Sequence, residues 1–136
     1  MSYTPPFQVV KSRLLKYTTR GNVEASVQHV KVAYDELLEV IKLLLRGIDV
    51  DEAWYREQYP DVGQAIAEGV YRSAKHHFVE YGYFEGRWPS QPAIDEAWYL
   101  EQYPDVAERV EAGDVASALD HFRDHGYSEG RLPAEY

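Results

Sequence analysis

The sequence of 136 residues contains no cysteine. It can therefore form neither a disulfide nor a metal site built from thiolates. No apolar run approaches the roughly 18 residues that a membrane-spanning helix requires. The first residues, Met-Ser-Tyr-Thr-Pro-Pro, lack the basic stretch and the apolar stretch of a signal peptide. From these absences we expect a cytoplasmic protein without a membrane span.

Acidic residues are scarce at the N-terminus and abundant elsewhere. Residues 1–47 carry seven Lys and Arg against four Asp and Glu, a balance of +3, whereas residues 48–136 carry seven against nineteen, a balance of −12. The acidic body argues against nucleic-acid binding. The first twenty residues hold four basic residues and no acidic one. This basic start suits an anionic partner, a membrane surface, the acidic body of a neighbouring subunit or a plain solvated face.

Sequence motifs of catalysis are also missing. The chain has no serine-protease context, phosphate loop or dinucleotide fingerprint. The carboxylates of Glu52, Glu57 and Glu85 are too dispersed for a glycosidase pair. His121 and His125 have the i, i+4 spacing of a zinc pair, but Tyr81 replaces the second histidine in the other copy of a repeat described below. We therefore predict no enzyme, no catalytic or cofactor-binding residue and no metal site.

One aromatic phrase occurs twice. "DEAWYREQYPDV" begins at Asp51, and "DEAWYLEQYPDV" begins 44 residues later at Asp95. The segments 51–90 and 95–134 align without a gap and share 22 of 40 residues. A fixed period of this length indicates one supersecondary unit used twice. His77 and His121 match and adjoin a matching Phe, which favours a structural histidine over a metal ligand.

The repeated unit reads as three short helices. Asp51 is a natural N-cap, and Pro60 ends the first helix and opens the second. The second helix stops at Gly69, and a third covers Ser73–Tyr81 with Gly82 as its terminating glycine. We predict an all-α protein with an N-terminal helical segment at 1–47 and repeats at 48–90 and 91–136.

The N-terminal segment contains two helical patterns. The first runs from Phe7 to Tyr17, and the second runs from Val23 to Arg46 with Asn22 as its N-cap. The second pattern predicts either a core helix or a self-association helix, and these two interpretations are compatible. Its apolar residues follow a heptad spacing, and the oligomerisation seam comprises Val23, Val27, Val30, Tyr34, Leu37, Ile41 and Leu44.

Charged and aromatic residues recur near the end of each repeat. Asp61 with Arg87, and Asp105 with Arg131, suit an ion pair inside each unit, and the alternative is an Arg that faces an anionic ligand. We expect Trp54 and Trp98 to be core anchors. The tyrosines of the exit turns are expected to be exposed, where they could stack on sugar rings. The candidates for partner or glycan binding are Tyr83, Phe84, Tyr127, Arg87 and Arg131.

The repeated motif resembles a short bacterial repeat, in which "D-x-x-Y-Y-L-x-x-N-P-D-V" precedes "H-Y-x-x-x-G-x-x-E-G-R-x-P". Here the aromatic pair is Trp54-Tyr55, Tyr59 replaces the Asn, and His77-Phe78 provide the histidine and aromatic step. The resemblance covers residues 48–134. It implies an accessory module, because such repeats occur in tandem in glycosyltransferases, cell-surface polysaccharide proteins and large multidomain bacterial proteins.

These observations predict a non-enzymatic interaction or scaffold protein. It would self-associate through the N-terminal helix as a dimer or higher oligomer and bind a protein partner through the repeats. The resemblance implies a setting in bacterial polysaccharide or envelope machinery. The alternative is a carbohydrate-binding module that uses exposed tyrosines.

Overall fold

The computed structural model describes residues 4–18 and 31–135. These residues form helices, turns and irregular connections, and none of them lies in a β-strand. The predicted all-α class is therefore confirmed. Within the same ranges no helix has both the length and the apolar character needed to cross a bilayer.

In the described residues, two helices precede the repeated sequence, and equivalent helices of the two segments begin 44 residues apart. The first two are α1 (Phe7–Thr18) and α2 (Tyr34–Leu45). The segment 51–90 contains α3 (Glu52–Gln58), α4 (Pro60–Ala67) and α5 (Ala74–His77), which continues as the π-helical turn π1 (Phe78–Gly82). The segment 95–134 contains α6 (Glu96–Gln102), α7 (Pro104–Glu111), α8 (Ala118–His121), π2 (Phe122–Gly126) and α9 (Tyr127–Glu129).

The predicted helix starts are confirmed where a side chain caps them. The carboxylate of Asp51 accepts a hydrogen bond of 3.0 Å from the Trp54 amide, which satisfies one of the unpaired N–H groups of the first turn. Ser73 caps α5 in the same way through the His76 amide. Tyr59, before Pro60, leaves helical geometry with φ −121° and ψ 78°, as expected of a residue that precedes proline.

The third helix ends at Gly82 as predicted, but the prediction that Gly82 is a left-handed C′ glycine is wrong. The helix widens into π1, and the buried Gly82 is the last residue of that turn. A Cβ at Gly82 would collide with the Tyr55 hydroxyl, so this position excludes a side chain because another helix lies against it. The left-handed backbone occurs four residues later, at Gly86 with φ 76°, where glycine has no steric penalty.

The predicted continuous helix from Val23 to Arg46 is also wrong. Asn22 and the seam residues Val23, Val27 and Val30 lie outside the described residues. Residues 31–33 are not helical, and α2 begins at Tyr34 after an extended Ala33. No side chain caps this start, but the first turn carries two carboxylates, which interact favourably with the helix dipole.

Each segment has its own apolar core. Residues of α1 and α2, which lie outside the repeat, complete the first core. The first core includes Tyr55, Phe78 and Tyr83, and Leu45 of α2 is buried in it. The second core is built around Tyr99, Val106, Ala118, Phe122 and Tyr127. Trp88 joins the two segments because it follows π1 in the chain but packs against the second core.

The short helix predicted from Phe7 to Tyr17 is present as α1, and it contacts both segments. The Phe7 ring packs edge-on against Tyr83 and against Phe84, at 6.1 and 5.0 Å between centroids. The side-chain amide of Gln8 donates to the Ser128 carbonyl at 3.1 Å. α1 therefore ties the end of the first segment to α9 of the second.

Candidate functional site

The matched histidines lie in the cores, where each binds a buried tyrosine. His77 Nδ1 and the Tyr55 hydroxyl share a hydrogen bond of 3.0 Å, and His121 and Tyr99 share one of 3.1 Å. Burial lowers the pKa of both imidazoles, and the neighbouring Arg87 or Arg131 lowers it further. Buried imidazoles that each share a hydrogen bond with a core tyrosine fit the structural role that the sequence favours.

No metal centre is formed by the residues in the described ranges. They contain no group of three or more potential ligands with the spacing to hold an ion. The rings of His121 and His125 are 5.7 Å apart, but His121 is already bonded to Tyr99.

The recurring arginines form the predicted ion pairs. Arg87 binds both carboxylate oxygens of Asp61, at 2.9 and 3.2 Å, and its Nε donates to Glu85 at 2.7 Å. Its guanidinium also stacks on the Tyr59 ring, 4.8 Å from the centroid. These contacts hold the pKa of Asp61 below its ordinary value, chiefly through the hydrogen bond from Arg87.

Arg131 repeats this arrangement in the second segment. It binds Asp105 at 2.7 and 2.8 Å, Glu129 at 2.6 Å and the face of Tyr103. Both guanidinium groups are therefore occupied by carboxylates of their own segment. This occupancy supports the structural interpretation over recognition of an anionic ligand.

The expected exposure of the exit-turn tyrosines is wrong. Tyr83 is 3% exposed and Tyr127 is 8% exposed. Phe7 covers the Tyr83 ring, and the Tyr83 hydroxyl donates to the Pro5 carbonyl at 2.8 Å. The Trp88 ring lies 3.9 Å from that of Tyr127. Neither tyrosine presents a face to a sugar, because contacts from outside its own turn cover it.

The aromatic anchors differ from those that the sequence suggested. Trp54 and Trp98 are only half-buried and pack at the edges of the cores. The residues that fill the cores are the next ones along, Tyr55 and Tyr99, neither of which is accessible to solvent. Burial raises the pKa of both phenols, that of Tyr99 to about 12.

The outer face of α2 is the largest run of exposed apolar side chains in the described residues. Val40, Leu43 and Leu44 are 51, 60 and 73% exposed. On the opposite face Ile41 and Leu45 pack on the first core. The predicted seam is therefore divided between these faces: Ile41 and Leu37 are half-buried, whereas Tyr34 and Leu44 are exposed.

A cationic cleft lies beside the end of α2. It has a volume of about 450 Å³ and is lined by Arg46, Arg72, Ser73, Lys75, His76, Val79 and Glu80. Glu80 is neutralised by Lys42 at 2.9 Å. The sequence interpretation missed this cleft. The sequence indicates the cleft only through a difference between the two copies: Arg72, Lys75 and His76 of the first copy correspond to Ala116, Leu119 and Asp120 of the second.

No protein-family model, curated protein or solved structure matches the chain. The resemblance of the motif to tandem bacterial repeats therefore remains a prediction. The features that point to an interaction are the exposed apolar face of α2 and the adjoining cleft. The buried His–Tyr pairs and the partly exposed Arg clusters tie helices together within each segment.

Proposed function

We propose that this chain is a non-enzymatic interaction protein that associates with itself through α2. The observation that carries the proposal is the exposure of Val40, Leu43 and Leu44 on a helix whose other face is already buried. Apolar side chains grouped on one helix face are typical of a contact surface. A second helix laid on this face would remove them from water.

We further interpret 48–90 and 91–136 as two copies of one three-helix unit that present an acidic surface to a protein partner. The residues shared by the copies are caps, core aromatics and the Arg clusters, whereas surface positions differ. This difference between shared internal residues and variable surface residues supports a scaffold in which the two copies have the same internal structure but different outer surfaces. The proposed setting in bacterial polysaccharide or envelope machinery rests on the motif resemblance alone.

A carbohydrate-binding function through the exit turns is not proposed. That alternative required exposed rings at Tyr83 and Tyr127, and both rings are buried.

Light scattering over a wide range of protein concentrations tests self-association. We expect the wild-type mass to exceed that of one chain at high concentration. Leu44→Lys should keep the chain monomeric at the same concentrations, because it places a charge in the apolar contact. The matched control is Val70→Lys, since Val70 is 63% exposed on the turn after α4. A wild-type monomer at every concentration would refute the proposal.

A further inference from the structure

α2 carries acidic groups at one end and a cation at the other. Asp35 and Glu36 are exposed in its first turn, and exposed Arg46 follows its last residue. Asp35 precedes Arg46 by eleven residues, which is three helical turns, so the two side chains lie on the same side of the helix. They are roughly 16 Å apart along the axis and cannot neutralise each other within one chain.

The exposed apolar residues lie between these charged ends. Val40 and Leu44 are one turn apart, and Glu36 lies one turn before Val40 on the same outer face. Leu43 widens this face toward the side that holds Arg46. A partner that covers the apolar residues must therefore also meet an acidic end and a basic end.

The basic end continues beyond the helix. Arg46, Arg72 and Lys75 line the same cleft, and none of them makes an ion pair with any residue in the described ranges. Lys42 differs, because it binds both Glu39 and Glu80. Arg46 acts on the Glu80 carboxylate of the cleft only at longer range, and Glu80 is already bound by Lys42. Cations that lack an ion pair, grouped in a chain with a net charge of −9, create a local attraction for carboxylates.

Asp35 and Glu36 are uncompensated in the same way. Neither forms an ion pair within the part of the chain that the structure describes. Along the helix axis, this surface therefore holds an acidic site, an apolar centre and a basic site in that order. That order is self-complementary under a two-fold rotation, as an interface between two identical chains requires.

The charges also select the direction of pairing. In an antiparallel pair related by a two-fold axis, the first turn of each helix lies beside the last turn of the other. The side of one helix that faces its partner is also the side that the partner presents in return. Asp35 of one copy then approaches Arg46 of the other. A parallel pair would bring the two acidic first turns together, which is unfavourable for like charges and for the helix dipoles.

We propose that α2 pairs antiparallel with α2 of a second copy, and that the acidic first turn of each copy docks on the cationic cleft of the other. This inference rests on the proposed self-association and adds its geometry and its charged contacts. The apolar centre, Val40 with Leu43 and Leu44, lies at the two-fold axis.

Three charge variants of the full chain test the geometry by sedimentation equilibrium. The first reverses the acidic site, Asp35→Lys with Glu36→Lys. The second reverses the basic site, Arg46→Glu with Arg72→Glu. The third combines all four substitutions in one chain. A matched control for the second variant is Arg109→Glu with Arg123→Glu, which makes the same change in net charge on the second segment. Circular dichroism establishes that each variant is folded.

We expect each single-site reversal to weaken dimerisation by about tenfold or more, because like charges then face each other. The combined variant should dimerise nearly as tightly as the wild type, since its acidic and basic sites have exchanged places. The control should retain the wild-type dissociation constant.

The contrary outcomes separate the two proposals. If neither charge reversal changes the dissociation constant of the dimer, the antiparallel geometry is wrong but self-association is still supported. Weakening by both reversals without recovery in the combined variant overturns the pairing of these two sites. A monomeric wild type overturns self-association itself, and with it this inference.

Discussion

The hydroxyl of Tyr55 occupies the space that a Cβ on Gly82 would need. The same hydroxyl is 3.0 Å from His77 Nδ1, which lies on the helix that leads into Gly82. The first helix of the segment is thereby held against its last turn by one buried contact. The second segment repeats the relationship with Tyr99 and Gly126.

Replacing Gly82 with alanine should destabilise the fold by about 1–3 kcal/mol, because the buried Tyr55 ring has no room to move away. Urea unfolding measures the change. The matched control is Gly47→Ala, where the nearest atom to a new Cβ is a backbone oxygen at an ordinary 3.4 Å. Adding Tyr55→Phe to Gly82→Ala should recover part of the loss. Equal urea midpoints for the two alanine variants would contradict the close contact.

Stability should decrease as the pH falls below about 6.5. The pKa values of His77 and His121 lie below the ordinary 6.5, chiefly because of burial. Between the folded and the unfolded pKa the unfolded chain binds more protons, so protonation favours unfolding. The stabilisation is complete above pH 6.5 and is lost as the pH falls toward the folded pKa. The pKa values of Asp61 and Asp105 lie below the ordinary 3.8. Their contribution to stability is therefore lost only at more acidic pH.

Urea midpoints measured across this range check the prediction. His77→Gln should reduce the slope of stability against pH, because one of the two linked protons is removed, and His121→Gln should do the same in the second segment. A slope that neither substitution changes would show that other groups control the pH dependence.

Arg87→Lys should lower the free energy of unfolding by about 1–2 kcal/mol, although it keeps the positive charge. Lysine cannot reproduce the two parallel bonds to Asp61 or the stacking on Tyr59. Arg56→Ala is the control, because its exposed pair with Glu52 at 3.5 Å is worth at most about 0.5 kcal/mol. Thermal unfolding of both variants compares them. A larger loss for Arg56→Ala would mean that the shared Arg cluster is not a structural tie.

Trp88→Ala should uncouple the two segments. The Trp88 ring packs on Tyr127 and Phe122 of the second core, and the loss of its contacts should cost about 2 kcal/mol or more. Unfolding should broaden or divide into two transitions, with a lower dependence on denaturant.

Trp88→Leu distinguishes a loss of coupling between the two segments from a general loss of stability, because leucine stands at the equivalent position 132. It should preserve a single transition at reduced stability. Trp98→Ala, which removes a half-buried tryptophan inside one segment, should lower stability without dividing the transition. If the unfolding transition divides in Trp98→Ala but not in Trp88→Ala, the role given to Trp88 is contradicted.

Features that depend on a few neighbouring residues could be predicted from the sequence. Asp51 caps α3, Pro60 opens α4 and the helix before Gly69 ends there, because each requirement is met by local backbone geometry. The ion pair of Asp61 with Arg87 was also predictable, since it recurs with the same spacing in both copies.

Features that depend on distant residues could not be predicted. Gly82 is required by Tyr55, which lies 27 residues earlier and contacts it only in the folded chain. Tyr83 is buried by Phe7 of α1, which no repeat pattern includes. The heptad spacing did not reveal that Ile41 would face the first core while Leu44 faced solvent.

By itself the sequence determined an all-α chain with capped, proline-separated helices and a unit written twice, because these properties follow from local preferences and periodicity. Only the tertiary structure decided which aromatic rings are covered and which apolar face of α2 remains exposed. It also brought Arg46 beside Arg72 and Lys75 in one cleft. Burial and charge proximity depend on contacts between elements far apart in the chain, and a one-dimensional pattern does not contain those distances.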